Sequence, residues 1–251
     1  MECTEEYKYQ LQFRNWTTCI DRLNINKKDT ILDLGCSIGH VTRLLADKAG
    51  QVIGIDNNPE LLKEARTNSK ADNINYLQMD LKSGNYGTLP PADGIWSSYV
   101  AAYFPDLGNI LLKWKGLLKP GGWIALTEMN DLFGHEWLQS ATRQLFRKYY
   151  TLSKRLNLYD FEMGNKLKDH LTDCGFRIVH EENLSDPELT FQGPAKPEVL
   201  KSWEHRFDRM HEFRKYAGDP TFKAIKQEFL DSLADENHQS NTRVAFVIGR
   251  K

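Results

Sequence analysis

The chain has 251 residues, 40% of them hydrophobic and 27% charged, enough apolar side chain to build one sizeable core without requiring a second domain. Its 33 basic and 34 acidic residues leave a net charge of −1, which supplies no general attraction to a phosphate backbone and leans toward a small-molecule ligand over nucleic acid. Four scattered cysteines, Cys3, Cys19, Cys36 and Cys174, form no C-x-x-C pair or metal spacing, and no apolar run suits a signal sequence or membrane span, so a cytoplasmic, metal-free protein with no membrane association is expected.

In chain order, Tyr9, Phe13, Trp16, Ile20 and Leu23 recur at helical spacing and predict an N-terminal helical segment over residues 1–28 that packs on the core, with Tyr7 or Tyr9 in reach of a site. Ile31, Leu32 and Leu34 form a short buried strand that runs into Gly35-Cys36-Ser37-Ile38-Gly39, a turn where backbone meets a ligand closely, and then a helix whose inward stripe is Val41, Leu44 and Leu45. A second strand, Gln51 to Asp56, precedes Asn57-Asn58-Pro59 and a helix from Glu60 to Asn68. A third runs from Ile74 to Leu81 and a fourth from Asp93 to Ser98. A helix from Asn109 to Leu118 stops at Lys119-Pro120-Gly121-Gly122, and Trp123 to Glu128 is the fifth strand. After a helix from about Met163 to Cys174 come a sixth strand, Phe176 to His180, and a last one, Thr242 to Gly249. This alternation predicts an α/β fold with a mostly parallel sheet covered on both faces.

Three of these strands end in acids. Asp33 lies just inside the glycine turn and suits a ligand with cationic groups better than one with phosphates. Asp56 follows Gly35 by about 20 residues, the distance at which a βαβ unit delivers a carboxylate to ribose hydroxyls. Asp80 is placed to accept from an adenine amino group, with Met79 and Leu81 flanking the ring. The turn lacks the third glycine of G-x-G-x-x-G, which counts against a dinucleotide-dependent oxidoreductase.

With these motifs the chain resembles the class I S-adenosylmethionine-dependent methyltransferases, over roughly Asn24 to Glu182 plus the final strand. Asp33, Gly35 and Gly39 match the family's D-x-G-x-G-x-G turn, with Ser37 in place of the middle glycine; a serine keeps the turn if its backbone needs no positive φ there. Asp56 matches the ribose acid, Asp80 the adenine acid, Ser97 the end of the fourth strand beside the sulfonium, and Leu117 to Gly122 the turn into the fifth. The resemblance implies a Rossmann-like, doubly wound, seven-stranded sheet with an antiparallel last strand and helical lid insertions. It also implies S-adenosylmethionine as cofactor, S-adenosylhomocysteine as product, and a cofactor set of Asp33, Gly35, Cys36, Ser37, Gly39, Asp56, Asn57, Asp80, Leu81 and Ser97. On that scheme one domain spans 1–251: residues 29–134, 159–184 and 242–251 form the cofactor-binding core, and 135–158 and 185–241 the insertions over the substrate.

The chemistry implied is direct displacement at the sulfonium methyl onto oxygen or nitrogen of a small metabolite, for which a general base is optional. A hydroxyl acceptor needs deprotonation, and His135, a short loop after the fifth strand, is the first candidate; it is also where the next helix would begin. Glu128 is the alternative base, or an acid that orients polar groups. Tyr99 and Tyr103 suggest an aromatic-walled substrate pocket, with Trp137 on the covering segment and Phe104 in the core. The stretch Trp203 to Tyr216 reads either as an amphipathic helix docked on the core or as a lid whose His and Arg residues recognise an acidic substrate. Two other readings remain open from sequence: a non-methylating relative such as a biosynthetic cyclase, and an RNA or protein methyltransferase.

Overall fold

A computed structural model describes residues 3–251. Its strands are β1 (Thr30–Leu34), β2 (Gln51–Asp56), β3 (Ile74–Gln78), β4 (Ala92–Ser98), β5 (Leu118–Asn130), β6 (Arg177–Asn183) and β7 (Arg243–Arg250). They form one sheet in the order β3-β2-β1-β4-β5-β7-β6, with β7 antiparallel to both of its neighbours and the pairs from β3 to β5 parallel.

The helices are α1 (Cys3–Gln10), α2 (Trp16–Asp21), α3 (His40–Ala46), α4 (Pro59–Asn68), α5 (Leu107–Leu117), α6 (Ser140–Arg155), α7 (Leu167–Asp173), α8 (Pro197–Asp208), α9 (His211–Ala217) and α10 (Asp219–Leu233). Successive strand residues point to opposite faces, so Leu32 and Leu34 of β1 join a core with Ile53, Ile95 and Trp114, while Ile31 joins Trp16, Trp96 and Trp123 on the other side. Burial on both faces is why these strands read as continuous apolar runs.

The insertions have a core of their own. Phe133 stacks on Phe146 with ring centroids 3.9 Å apart, and Trp203, Phe207, Phe213 and Phe229 close around them fully buried. At about 3 kcal/mol for each fully buried large apolar side chain, this cluster fixes α6, α8 and α10 against one another. Met129 and Val244 join the same cluster from β5 and β7 and so anchor it to the sheet. Among the described residues no helix is long and apolar enough to cross a membrane.

Several elements differ from expectation. The N-terminal stripe is two short helices joined by a turn of 3-10 helix, Leu11–Phe13, and not one continuous helix. The single amphipathic stretch expected over residues 203–216 is broken between α8 and α9, where Met210 leaves helical geometry at φ −78 and ψ 59. β3 stops at Gln78, so Asp80 stands on the loop beyond it. α7 is shorter than expected, because Met163–Lys166 is 3-10 helix.

Candidate functional site

A cleft of about 880 Å³ opens beyond the carboxyl ends of β1 to β5, around the point where the strand order reverses between β1 and β4. In open α/β sheets this is where ligands bind. Its floor is the turn after β1. The backbone N–H groups of Gly35 and Cys36 both donate to the Ile55 carbonyl, at 2.8 and 2.9 Å, and Ser37 N donates to Asp56 Oδ2 at 2.9 Å, tying the turn to the end of β2. Gly35 has φ 82, and any Cβ there would overlap the Val100 side chain. Ser37 has φ 50, so the turn does need a positive φ there and the serine occupies the left-handed region, at a cost on the order of 1 kcal/mol that its bond to Asp56 helps offset.

The acids at one end of the cleft differ in their surroundings. Asp33 is buried and accepts from Thr42 Oγ1 at 2.6 Å; burial pushes its carboxyl up to about 7, with Asp56 adding to the rise. Asp56 takes one backbone N–H on each oxygen, from Ser37 and Asn58. Asp80 is exposed, and the Ser83 hydroxyl together with the Lys82 N–H holds it below the usual carboxylate range. Cys36, Asn57 and Leu81 line the same end. Two buried hydroxyls of the lining, Ser37 Oγ and Ser98 Oγ, have no hydrogen-bond partner among the described residues. Carboxylate acceptors beside unpartnered hydroxyls fit a ligand with hydroxyl, amino and ammonium groups, which is the chemistry of S-adenosylmethionine.

The other end is aromatic and cationic. Tyr99, Tyr103, Tyr159 and Phe161 form its wall, with Tyr103 and Tyr159 in edge contact at 4.9 Å. Arg14, whose guanidinium lies 5.7 Å from the centre of the Tyr99 ring, Arg206 and Arg209 line it too, as does the acidic Glu212. Each arginine is held by carboxylates that are not part of the lining: Arg14 by Asp186 and Glu188, Arg206 by Glu188 at 2.7 Å, and Arg209 by Glu6. Burial alone would push the Glu188 carboxyl up, but Arg206, Arg14 and the Ser202 hydroxyl bring it down to about 2. Arg206 Nε is buried and unpartnered among the described residues. The break between α8 and α9 delivers Arg209, Met210 and His211 to this wall.

Several expected site residues lie elsewhere. His135 is buried outside the cleft, its ring stacked on His238 at 5.1 Å and edge-on to Trp203 and Phe229. Burial, with His238 beside it, lowers its pKa to about 3, which keeps it neutral, and it does not line this cleft. Trp137 is 58% exposed, its indole donating to the Asn237 carbonyl, and is not part of the cleft wall. Ser97 turns its hydroxyl to the Leu34 carbonyl between strands, and its neighbour Ser98 faces the cleft instead. Gly39 caps α3 against Tyr76 and Ala65 and shapes the turn without lining the cleft. Glu128 is fully buried behind the wall, bonded to Tyr159.

We therefore expect His135→Ala to keep turnover within about twofold of the parent and to lose about 3 kcal/mol of stability from the cavity it leaves, checked by initial rates and thermal melting.

Arg14 and Tyr159 are site residues that the pattern did not single out. Arg14 is a lone charge within an apolar stripe, which was its signal; Tyr159 follows a helix end with none.

Known proteins resemble this arrangement. Residues 25–193 match the family described as a methyltransferase domain. The chain is 30% identical to trans-aconitate 2-methyltransferase of Mycobacterium tuberculosis over 224 residues, covering 86% of this chain and 80% of that protein. A protein of the same name from Azoarcus sp. is 31% identical over 107 residues, and that match spans only 41% of its length. The fold superposes with a TM-score of 0.61 on a Haemonchus contortus phosphoethanolamine N-methyltransferase solved in complex with S-adenosyl-L-methionine, at 20% identity, covering 99% of this chain and 57% of that one.

Proposed function

The chain belongs to the class I S-adenosylmethionine-dependent methyltransferases, and from that premise we propose that it transfers the methyl group to a carboxylate oxygen of a small organic acid. One observation carries this reading: Arg14 and Arg206 line the acceptor end of the cleft while their carboxylate partners Asp186 and Glu188 do not, so these two cations are fixed from behind the wall. Arginine presents several donors in a planar fork suited to carboxylates, and the unpartnered Arg206 Nε is one such donor. The trans-aconitate methyltransferases at about 30% identity support the same substrate class.

In the proposed arrangement Asp56 accepts the ribose hydroxyls of the cofactor, Asp80 its adenine amino group, and Asp33 the ammonium end, with Cys36, Asn57 and Leu81 around the nucleoside. When bound, S-adenosylmethionine supplies a sulfonium-activated methyl group, so that one C–O bond forms, one C–S bond breaks, and the electron pair stays on sulfur. A carboxylate is already deprotonated near neutrality, so no general base is needed, in keeping with the seclusion of His135. The arginines then do the positioning, and the aromatic wall excludes water.

Asp33 gives this reading a pH signature. Its carboxyl holds a proton up to about 7 in the ligand-free protein, and a cationic group beside it favours the ionised form. Cofactor affinity is therefore expected to climb as pH rises toward 7 and to level off above it, with the slope lost in Asp33→Asn, as measured by calorimetry. The substrate class is tested by incubating the protein with labelled methyl donor and trans-aconitate, citrate or malate. The expected product is a base-labile methyl ester that releases labelled methanol, and a base-stable product or no transfer to any acid would overturn the assignment.

A further inference from the structure

The aromatic wall runs on to the mouth of the cleft, and its outer residues stay uncovered. Of the large apolar side chains that remain exposed, Tyr103 and Leu158 line the cleft, at 48% and 37% exposure. Burial pushes the Tyr103 hydroxyl up, with Tyr7 and Glu128 adding to the rise, while Arg209 and Arg206 act in the opposite direction. A side chain that is half open to solvent and yet desolvated at its tip lies in a concavity, here beside the arginines, and not on the outer face of the protein.

The rings behind these residues form one connected series. Tyr103 meets Tyr159 at 4.9 Å, Tyr159 meets Phe161 at 4.8 Å, Phe161 meets Tyr149 at 5.8 Å, and Tyr149 meets Tyr216 at 5.5 Å. Tyr216, on α9, is 37% exposed and carries the series beyond the cleft lining. Two polar groups of this wall are spent within the protein: Ser153 Oγ donates to the Tyr159 carbonyl and the Tyr159 hydroxyl to Glu128, both at 2.8 Å. Glu212, exposed on α9 within electrostatic reach of Tyr149, is the carboxylate of the lining at this end. Contiguous apolar surface left open at a cleft marks a place that a ligand covers.

We propose that the acid methylated here carries an apolar chain or ring, which lies along Tyr103 and Leu158 toward the mouth while its carboxylate is held by Arg14 and Arg206. This rests on the carboxylate reading of the same site and narrows it. Charge fixes the orientation: the arginines draw a carboxylate inward, and Glu212 repels one placed at the rim, so the outward end of the acid is uncharged. Covering the open rings and Leu158 with hydrocarbon favours the complex in proportion to the apolar area removed from water.

The test compares methyl acceptors that share a head group and differ in the apolar part, succinate with benzylsuccinate and butyrate with octanoate. The parent protein is expected to favour the larger member by on the order of tenfold in kcat/KM, what the covering of about two methylene groups supplies. The double variant Tyr103→Ser, Leu158→Ser should bring the members of each pair within about threefold, chiefly by raising KM for the larger acid. Its affinity for S-adenosylhomocysteine by calorimetry should be kept, which shows that it folds. Leu158→Ser alone, at an exposed position, should lower the preference partway. Leu112→Ser, at a position 54% exposed on α5 and outside the cleft lining, should leave the preference intact. Equal kcat/KM within the pairs for the parent protein, survival of the preference in the double variant, or its loss in Leu112→Ser overturns the inference and leaves carboxylate methylation standing. A parent dimer that the double variant dissociates, seen by sedimentation, assigns the open face to a second copy and overturns it too. If no acid of either size is methylated while the cofactor still binds, the carboxylate reading fails and this inference fails with it.

Discussion

Replacing Asp56 with alanine is expected to weaken S-adenosylmethionine binding by on the order of 100-fold, from two charge-assisted hydrogen bonds to the ribose of about 1.5 kcal/mol each. The same substitution removes the acceptor that fixes Ser37 N at 2.9 Å and Asn58 N at 2.9 Å, so the turn that forms the floor of the cleft loses its tie to β2. Asn58 also caps α4 through Glu60 N, and that bond remains. Asp56→Asn, which keeps one acceptor oxygen, should fall between the parent and the alanine variant. Calorimetry with S-adenosylhomocysteine checks both, and an unchanged affinity in Asp56→Ala would remove the ribose assignment.

Arg206→Gln carries the second large effect, on the acceptor. It should raise KM for the acid substrate by on the order of 100-fold, the loss of a charged hydrogen-bonding partner, while cofactor affinity is kept. Glu188 is fully buried and would retain Arg14 and the Ser202 hydroxyl, bonded at 2.6 Å, so the protein should still fold. Removing one partner of a buried ion pair nonetheless costs about 3 kcal/mol, visible as a lower melting temperature. Arg206→Lys keeps the charge but not the fork and should recover only part of the lost affinity. A KM that does not move in Arg206→Gln, in a variant shown to be folded, would take the acid away from this wall.

The cofactor end was legible because its residues sit at strand ends, where apolar runs, small turn residues and acids coincide in sequence. β2 was read to the residue, since its apolar run starts at Gln51 and ends at Asp56. Ser97 shows the limit of this reading. Neighbouring strand residues face opposite sides, so an error of one position exchanged an interstrand hydroxyl for Ser98, the one in the cleft. Ser37 was accepted on the condition of a negative φ, yet the turn places it at φ 50, a choice made by the bond from its N–H to Asp56 and invisible in composition.

The acceptor end was less legible because tertiary contacts build it. Arg14, Glu188 and Arg206 are far apart in sequence and meet only when the N-terminal segment packs beside α8. His135 sits at a plausible distance after β5, but the loop turns it into the aromatic core of the insertions, where desolvation keeps it neutral. Tyr159 is committed to Glu128 across 31 residues, a pairing that no local pattern announces.

The most direct measurement is a crystal structure of the protein with S-adenosylhomocysteine and trans-aconitate. The account predicts the nucleoside among Asp56, Asp80 and Leu81, with a carboxylate of the acid on Arg206 and Arg14. A nucleoside bound with Asp56 and Asp80 turned away, or an acid seated outside the arginine wall, would contradict it.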